Sequence, residues 1–338
     1  MRAYQLPKGG AGIDTIVQVE RPTPKPLYRQ VLVKVAACSL NYRDLVIARS
    51  DYRMPIKENV IPLSDGAGEI VEVGPGVLRV KVGDRVAGSF FQRWPGGEPG
   101  PHFHASGLGA GLDGMLTEYA VLEEEGVVKI PAHLSFEEAA SLPCAGVTAW
   151  NAIVEHARLI AGQTLLVQGT GGVSILGLQL ARAMGITVIV TSSSDEKLKR
   201  AKALGAAHGI NYKTTPEWSK AVRELTGGEG VHAVIDVGGA ATLGPSLDAI
   251  RRGGKVSVIG VLTGPPAQIN AARIFAKNAN VQGISVGSTQ MFEAMNAAIA
   301  ANNIKPVIDR VFSFDEAKAA YQHLAAAGHF GKVVIRIA

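Results

Sequence analysis

The clearest chemical signal in the sequence is a glycine-rich turn, in which an apolar strand runs directly into an amphipathic helix. The turn consists of Gly169, Thr170, Gly171, Gly172 and Val173. Without a Cβ to block the approach, main-chain amides and a helix amino terminus can face a pyrophosphate. Ser174 stands where the dinucleotide-binding pattern has its third glycine. The segment predicts a dinucleotide site, and a glycine-rich turn without a ligand is the alternative.

A second signal, about 20 residues after the first glycine, concerns which dinucleotide is bound. NAD sites usually place a carboxylate there, which binds the ribose hydroxyls. This sequence instead has Ser192, Ser193 and Ser194, with Lys197 and Arg200 one helical turn apart. Hydroxyls and cations hold a 2′-phosphate, so the pattern predicts NADP(H). The alternative is an ordinary serine helix cap followed by surface lysines.

These residues belong to a region in which short apolar strands alternate with longer amphipathic segments, as is typical of a parallel sheet. Strands are predicted at Thr164 to Gln168, Thr187 to Thr191, Gly209 to Tyr212, Ala233 to Val237, Lys255 to Ile259 and Val281 to Val286. Helices are predicted between most of them, including Ser174 to Met184 and Asp195 to Leu204. Six strands in this rhythm predict a doubly wound parallel sheet.

The first third of the chain predicts a β-rich module. Val31 to Ala36, Gly68 to Val73 and Arg85 to Gly88 are short β segments between turn residues. Gly88 to Gly114 is rich in glycine and proline and predicts an exposed loop.

The last stretch predicts helices near Met291 to Ala301 and from Asp315 to Ala327, and a strand from Lys332 to Ile337. It is too short to stand alone, so we expect it to fold back onto the first module. The predicted fold is α/β, with a catalytic domain at 1–147 and 288–338 and an inserted nucleotide-binding domain at 148–287.

Composition excludes several classes of protein. The 338 residues are 47% apolar and 19% charged, which is unlike a disordered chain. Two cysteines, Cys38 and Cys144, are too few for a disulfide framework, and a reducing cytoplasm fits. The net charge of +5 comes from interleaved acidic and basic residues, which argues against nucleic acid as a partner. No segment is apolar and long enough to predict a membrane span.

Further segments resemble a known family. In the first half these are Ser39 to Asp44, Asp65 to Gly74, Val82 to Val86 and Leu142 to Trp150. In the second half they are Ala203 to Ala206, Ile210 to Tyr212, Val234 to Gly239, Gly253 to Lys255 and Phe330 to Ile335. Together they resemble the medium-chain dehydrogenase/reductase superfamily, in particular its zinc-independent quinone oxidoreductase-like branch, over nearly the whole chain.

The resemblance implies a GroES-like first domain, a Rossmann second domain and a cleft between them for the nicotinamide ring. It also implies cofactor contacts, namely Thr148 and the Gly260-Val261 turn at the nicotinamide, Ser193, Lys197 and Tyr212 at the 2′-phosphate and adenosine, Gly238 in the motif after the fourth strand, and Lys332 near the cofactor. The alternatives are a buried hydroxyl, a helix cap, a strand-end aromatic residue and a surface lysine.

The same resemblance bears on metal binding. Zinc-dependent relatives use a cysteine, a histidine next to a glutamate, and a later cysteine or acid; here those positions are Asn41, Ser64 with Asp65, and Cys144. A catalytic zinc generally takes three protein ligands, so we expect no metal. His102 and His104 are interpreted as loop residues, and Cys144 as a small apolar one.

Without a Lewis acid, nothing lowers the pKa of an alcohol for oxidation at neutral pH. A quinone or enone carbon, in contrast, accepts hydride directly from a reduced nicotinamide, and the carbonyl oxygen then needs hydrogen-bond donors and a proton. We expect Asn41 to lie near the nicotinamide and substrate, Tyr42 to donate a hydrogen bond or a proton, and Arg43 to steady a developing anion. The alternative is a helix start in which Asn41 or Asp44 serves main-chain amides.

The sequence therefore predicts an NADPH-dependent, zinc-free reductase of quinones or α,β-unsaturated carbonyls. An alcohol dehydrogenase or an enoyl-thioester reductase is the alternative among enzymes, and a nicotinamide-binding regulatory protein with little turnover is the alternative outside them. Since relatives commonly dimerise through the edge strand Val281 to Val286, a homodimer is expected, which would also cover an exposed strand edge.

Overall fold

The computed structural model describes residues 1–7, 12–52, 54–101, 103–260 and 268–337. Its strands are β1 Arg2–Gln5, β2 Val17–Glu20, β3 Gln30–Leu40, β4 Asp65–Val73, β5 Arg85–Gly88, β6 Tyr119–Glu123, β7 Val127–Lys129, β8 Thr164–Gln168, β9 Thr187–Ser192, β10 His208–Asn211, β11 Val231–Asp236, β12 Ile250–Val258, β13 Asn280–Gly283, β14 Ile308–Ser313 and β15 Lys332–Arg336. Its α-helices are α1 Tyr42–Ala48, α2 Phe136–Ala140, α3 Ala145–Trp150, α4 Gly172–Ala183, α5 Asp195–Ala203, α6 Trp218–Leu225, α7 Leu243–Ala249, α8 Ala271–Lys277, α9 Thr289–Ala301 and α10 Ala317–Ala325. Short 3₁₀ segments lie at Ile13–Thr15, Phe103–Ser106, Glu124–Gly126 and Phe314–Glu316, and a π-helical segment at Asn151–His156 follows α3.

The chain divides into two units. The first comprises Met1–Val147 with Gly287–Ala338, and the second is Thr148–Val286. Gly287, which the sequence-based division assigned to the second domain, thus belongs to the first unit.

A parallel six-stranded sheet forms the second unit, in the order β10-β9-β8-β11-β12-β13. Its central strands are apolar and fully buried, as Leu166 and Val234 illustrate, because helices cover both faces of such a sheet. The strand order reverses direction between β8 and β11, where loops at the carboxyl ends of the strands diverge. The predicted doubly wound α/β fold is confirmed.

The sixth predicted strand, Val281 to Val286, is wrong at its carboxyl end, because β13 ends at Gly283. Val286 has φ +56°, a left-handed conformation that an extended strand does not allow. Its carbonyl oxygen instead accepts a hydrogen bond from Asn151 Nδ2 at 2.8 Å.

A mostly antiparallel sheet forms the first unit, in the order β14-β15-β3-β4-β5-β7, with β6 also paired to β3. The carboxyl-terminal tail supplies β14, β15 and α10 to this unit. Strand β15 is antiparallel to β3, with Val333 opposite Leu40. This register brings Lys332 to the point where β3 ends and α1 begins.

The segment Gly88 to Gly114 was predicted as an exposed loop, and this prediction is correct for Pro95 and for Gly97 to Pro101, which are exposed, but wrong for most of the described residues on either side. Phe90, Phe91 and Trp94 are each at most 6% exposed. The ring of Phe91 packs edge-on against that of Phe103, with centroids 4.8 Å apart. Glycine and proline prevent regular structure here, but aromatic side chains contribute enough apolar surface to bury an irregular segment.

Candidate active site

The glycine turn of the second unit leaves main-chain groups open for a ligand. Gly169, directly after β8, has φ +72°, and a Cβ built on it would meet no heavy atom within 4 Å among the described residues. Helix α4 begins with Gly171 as its N-cap, and no side chain of the described part of the chain caps it. Its first amides therefore remain available to an anion.

Ser174, in the position of the third glycine, does not obstruct this turn. Its side chain is 2% exposed and its Oγ donates a hydrogen bond of 2.6 Å to the carbonyl oxygen of Gln168. The hydroxyl ties the first turn of α4 to the end of β8. A serine therefore substitutes for glycine here without filling the space at Gly169.

Two further glycines of the predicted site follow the ends of the neighbouring strands β11 and β12. A Cβ on Gly260 would lie 2.1 Å from the carbonyl oxygen of Val237, and one on Gly238 would lie 2.4 Å from Thr242 Oγ1. Both positions thus need glycine for close packing at the carboxyl edge of the sheet. Val261, predicted beside Gly260, lies outside the described residues.

Asp236, whose role the sequence pattern did not reveal, shapes this edge. Its buried carboxylate accepts hydrogen bonds from Gly239 N at 2.9 Å, Thr242 Oγ1 at 2.6 Å and Ser246 Oγ at 2.7 Å. These bonds fix the loop after β11. An acid at the end of an apolar strand, directly before two glycines, was the available signal.

The three serines after β9 were predicted either to bind a 2′-phosphate or to cap the next helix. Ser194 is the N-cap of α5, and its Oγ accepts a hydrogen bond from Lys197 N at 3.3 Å. Ser192 is buried, and its carbonyl oxygen accepts from Tyr212 N at 3.0 Å. Ser192 Oγ also accepts a hydrogen bond from Ser194 N at 3.3 Å, so two of the three serines serve the start of α5, and the phosphate contacts of Ser192 and Ser193 stay predictions.

Thr148, the first residue of the second unit, is 2% exposed within α3. The structure brings the glycine turn, Ser192, Gly238 and Gly260 to one edge of the parallel sheet, because they lie at or just after the carboxyl ends of β8, β9, β11 and β12. The roles of Thr148, Lys197 and Tyr212 at a cofactor stay predictions.

In the first unit, a buried lysine is bound to Asn41. Lys332 is 3% exposed, and its Nζ donates to Asn41 Oδ1 at 2.7 Å and to the carbonyl oxygen of Leu40 at 2.8 Å. Asp65 Oδ2 lies 3.6 Å from the same ammonium. Lys332 was predicted near the cofactor, a role that stays a prediction, whereas its contact with Asn41 was not foreseen.

Asn41 is also the N-cap of α1, in agreement with the alternative that Asn41 to Asp44 form a helix start. Its main-chain N donates to Asp44 Oδ2 at 2.7 Å, and Asp44 N donates back to the carbonyl oxygen of Asn41 at 3.0 Å. The side-chain Nδ2 is buried and has no hydrogen-bond partner among the described residues. An unpartnered buried donor costs about 1–3 kcal/mol, so Asn41 retains a strong tendency to donate to an arriving oxygen.

Arg43 lies in an aromatic enclosure. Its guanidinium carbon is 4.5 Å from the ring centroid of Phe90 and 5.2 Å from that of Tyr52. Nη1 donates to the carbonyl oxygen of Leu108 at 2.9 Å and lies 3.6 Å from Asp44 Oδ1. Burial is the largest single effect and lowers the pKa of Arg43, but Asp44, Tyr52 and Cys144 together outweigh it, and the pKa is raised.

Burial raises the pKa of Asp44 to about 6, against the opposing effect of Arg43. Burial and the charge of Asp65 likewise raise the pKa of the Cys144 thiol, which makes it a poor nucleophile. Tyr42 is 44% exposed, so its hydroxyl-bearing side chain reaches the surface of the first unit. The catalytic roles of Asn41, Tyr42 and Arg43 stay predictions.

Comparison with known proteins places these two units in one family. The alcohol dehydrogenase GroES-like domain matches residues 28–132, and the zinc-binding dehydrogenase domain matches residues 172–301. A zinc-type alcohol dehydrogenase-like protein of Schizosaccharomyces pombe is 46% identical, covering 97% of this chain and 96% of its own length. The chain belongs to the medium-chain dehydrogenase/reductase superfamily.

Other members carry different names. The quinone oxidoreductase of Homo sapiens is 27% identical over 99% of this chain and 97% of its own length. The crystal structure of a putative alcohol dehydrogenase from Sinorhizobium meliloti 1021 has a TM-score of 0.93 at 42% identity, covering 99% of this chain and 98% of that one. A mycobacterial protein complexed with NADPH has a TM-score of 0.84 at 27% identity, covering 100% of both chains. This medium-chain dehydrogenase/reductase is therefore an oxidoreductase.

The residues at the family's catalytic zinc position do not fit that metal. An ammonium group binds Asn41 and faces Asp65, while Asp65 Oδ1 accepts from Ser64 Oγ at 2.7 Å and Oδ2 accepts from Cys144 N at 3.1 Å. A divalent cation beside Lys332 would meet a like charge, and one thiol cannot supply three ligands. Within the described ranges, no group of three His, Cys, Asp or Glu residues could hold a metal ion.

His104 was interpreted as a loop residue of the segment Gly88 to Gly114. Its ring packs against Phe103, with centroids 3.8 Å apart, whereas His102 lies outside the described residues. Among the described helices, none has the length and apolar character needed to cross a bilayer.

Proposed function

We propose that this medium-chain dehydrogenase/reductase reduces quinones or α,β-unsaturated carbonyls with NADPH and without zinc. One observation carries the proposal: an ammonium group, rather than a set of metal ligands, lies between Asn41 and Asp65. Without a Lewis acid the oxidation of an alcohol lacks a means of releasing its proton. Reduction of a conjugated acceptor needs only hydrogen-bond donors for the oxygen and a proton.

The glycine turn fits a dinucleotide, because Gly169 leaves open space before the uncapped amino terminus of α4. Ser192 and Ser193, with Lys197, would hold a 2′-phosphate, in keeping with the NADPH complex of the mycobacterial relative. When bound, the reduced nicotinamide supplies a hydride. Gly238 and Gly260 allow the loops beside the turn to pack closely.

Residues of the first unit would stabilise the negative charge that develops on the substrate and supply a proton. As the acceptor carbon gains hydride, its π electrons move onto the conjugated carbonyl oxygen, which then carries negative charge. Asn41 Nδ2 would donate a hydrogen bond to that oxygen, and the nearby Arg43 guanidinium would favour the anion. Protonation from Tyr42 or solvent completes the reduction, in which the acceptor gains one hydride and one proton, that is, two electrons and two protons in all.

The test is NADPH oxidation with a small quinone and a small enone, followed at 340 nm. We expect turnover by the wild type and a kcat about 10²–10³-fold lower in Asn41→Ala, the usual effect of losing one oxyanion donor. Asn302→Ala, at the exposed carboxyl end of α9, is the matched control. An unaltered rate in Asn41→Ala would remove this residue from the mechanism.

An alcohol dehydrogenase is the second candidate, since one relative is named a zinc-type alcohol dehydrogenase-like protein and another a putative alcohol dehydrogenase, and Cys144 is one potential zinc ligand. Such an enzyme would hold zinc in near one-to-one amounts and oxidise alcohols with NAD(P)⁺. Metal analysis of purified protein, combined with alcohol oxidation before and after zinc addition, distinguishes the two candidates.

We also propose a homodimer through the edge strand β13, in a reducing compartment such as the cytoplasm. Strand β13 pairs only with β12 among the described strands, and Phe275 of the nearby α8 is 89% exposed. Both cysteines are free thiols. Sedimentation should show a dimer that Phe275→Lys weakens, whereas Leu78→Lys, an equally exposed site of the first unit, leaves it intact.

A further inference from the structure

The contact between Lys332 and Asn41 carries an inference about how the active site is organised. Lys332 is the first residue of β15, and Asn41 lies 291 positions earlier, directly after β3. The pairing of β15 with β3 brings them together. A buried lysine whose ammonium contacts the side chain of a proposed oxyanion donor is positioned to act through that donor.

The ammonium group has three N–H donors, and three acceptors surround it. The carbonyl oxygen of Leu40 lies at 2.8 Å and Asn41 Oδ1 at 2.7 Å, while Asp65 Oδ2 lies further away at 3.6 Å. Asp65 is itself held by Ser64 Oγ and by the main-chain N of Cys144. The lysine is therefore fixed within a cluster drawn from four segments of the first unit.

This arrangement determines which way the Asn41 amide faces. Its Oδ1 is bound to the ammonium, and its main-chain N is bound to Asp44 Oδ2. A half-turn of the amide would place Nδ2, a donor, against the ammonium, also a donor. The Nδ2 group is thus held facing away from Lys332, where it has no hydrogen-bond partner in the described part of the chain.

The positive charge also strengthens that donor. An amide whose oxygen accepts a hydrogen bond from a cation is polarised, so its N–H groups donate more strongly. We propose that Lys332 is a positioning residue, which orients and polarises the Asn41 amide so that Nδ2 binds the carbonyl oxygen of a conjugated acceptor as negative charge develops there. This inference rests on the proposed function and extends it to a residue outside the reacting atoms.

Two substitutions separate the lysine from the donor. Asn41→Asp keeps an oxygen acceptor for Lys332 and replaces Nδ2 with an oxygen, so the cluster stays paired but the donor is lost. Lys332→Met removes the charge and keeps most of the side-chain volume. We expect kcat to fall about 10²–10³-fold in Asn41→Asp and about 10–100-fold in Lys332→Met, the usual cost of losing an outer supporting group.

The deciding measurement is a double-mutant cycle on kcat with Asn41→Ala and Lys332→Met. If Lys332 acts through Asn41, adding Lys332→Met to Asn41→Ala changes kcat little, and Lys332→Arg restores part of the activity lost in Lys332→Met. The dissociation constant of NADPH, measured by fluorescence titration, should stay within about threefold in Lys332→Met. Lys57→Met, a lysine ion-paired with Asp113 at 2.6 Å, is the control.

The outcomes are distinguishable. Wild-type turnover with fully additive effects of the two substitutions would overturn the positioning role and leave the proposed function standing. A large loss of NADPH affinity in Lys332→Met, with kcat preserved, would assign the lysine to the cofactor instead. Absence of turnover in the wild type with every quinone and enone would overturn the proposed function and this inference with it. Should Lys332→Met fail to fold, Lys332→Gln, which keeps a donor for Asn41 Oδ1 and removes the charge, takes its place in the same cycle.

Discussion

The glycine turn of the second unit exposes main-chain groups, whereas the cluster around Asn41 and Lys332 in the first unit is built from side chains. Gly169 and the uncapped start of α4 lie in open space and come from consecutive residues. Asn41 and Lys332 are largely buried and lie 291 positions apart in the chain. The first kind of site depends on local conformation, and the second depends on the pairing of distant strands.

The difference has a consequence for how each site tolerates change. A main-chain site is sensitive to any substitution that adds a Cβ, because a side chain would block the approach of a ligand to the backbone. A buried side-chain cluster is sensitive to charge, because each ionic group there is stable only with its partners. The two sites should therefore fail under different perturbations.

The largest expected effect comes from filling the turn. Gly169→Val places a branched side chain at φ +72°, directly where the open space lies before α4. We expect NADPH affinity to fall at least about 100-fold, roughly 3 kcal/mol, because the side chain blocks the approach of the diphosphate. Isothermal titration of NADPH measures this directly.

Gly162→Val is the matched control for that prediction. Gly162 has φ +84°, also has no heavy atom within 4 Å of a built Cβ among the described residues, and precedes β8 rather than following it. Both variants should lose about 1–3 kcal/mol of stability from the strained backbone. Equal loss of NADPH affinity in the two would show that strain alone, and not the blocked turn, weakens binding.

The sequence predicts the site built from consecutive residues better than the site built from residues that are distant in the chain. The strand, turn and helix around Gly169 are local, and β8 has the predicted bounds, so a pattern of neighbouring residues was sufficient. Asp236 was missed, because its importance lies in hydrogen bonds to a loop that the pattern left without structure. The Lys332 contact was missed because it depends on the register of β15 against β3, which periodicity does not give.

The partly buried segment from Gly88 to Gly114 was also predicted only in part. Its glycines and prolines correctly indicate that no regular strand or long helix forms there. The exposure of Pro95 and of Gly97 to Pro101 was predicted correctly, whereas the burial of Phe91 was missed because its packing against Phe103 is a tertiary property. For the same reason, the sequence did not predict the aromatic enclosure of Arg43, to which Phe90 contributes.

A second prediction probes the ionic character of the first unit. Burial raises the pKa of Asp44 from 3.8 to about 6, and Arg43, Asp65 and Lys332 are the charged groups that act on it. The native state thus binds this proton more tightly than the unfolded state. Asp44 should therefore lower the stability of the fold as pH rises from about 4 to about 6, by as much as about 3 kcal/mol.

Asp44→Asn removes this titration and keeps an acceptor for the main-chain N of Asn41. We expect the variant to become more stable relative to the wild type between pH 4 and pH 7, so that the difference in the free energy of unfolding, variant minus wild type, rises with pH. Urea unfolding at several pH values measures this, with Asp51→Asn at an exposed position as the control. A stability difference that is constant with pH would show that Asp44 does not titrate in this range.

The smallest expected effect concerns the choice of cofactor in the second unit, where side chains supplement the main-chain site. Ser193→Asp introduces a carboxylate beside the proposed 2′-phosphate contacts, and its repulsion should weaken NADPH binding about tenfold, near 1.4 kcal/mol, with NADH affinity unchanged or improved. Ser194→Asp adds the same charge one residue later, where an aspartate caps α5 as well as serine does. If Ser193 faces the phosphate, its variant loses more NADPH affinity than the Ser194 variant does; equal losses would indicate a general effect of charge, and the preference for NADPH would then depend on other residues of this edge.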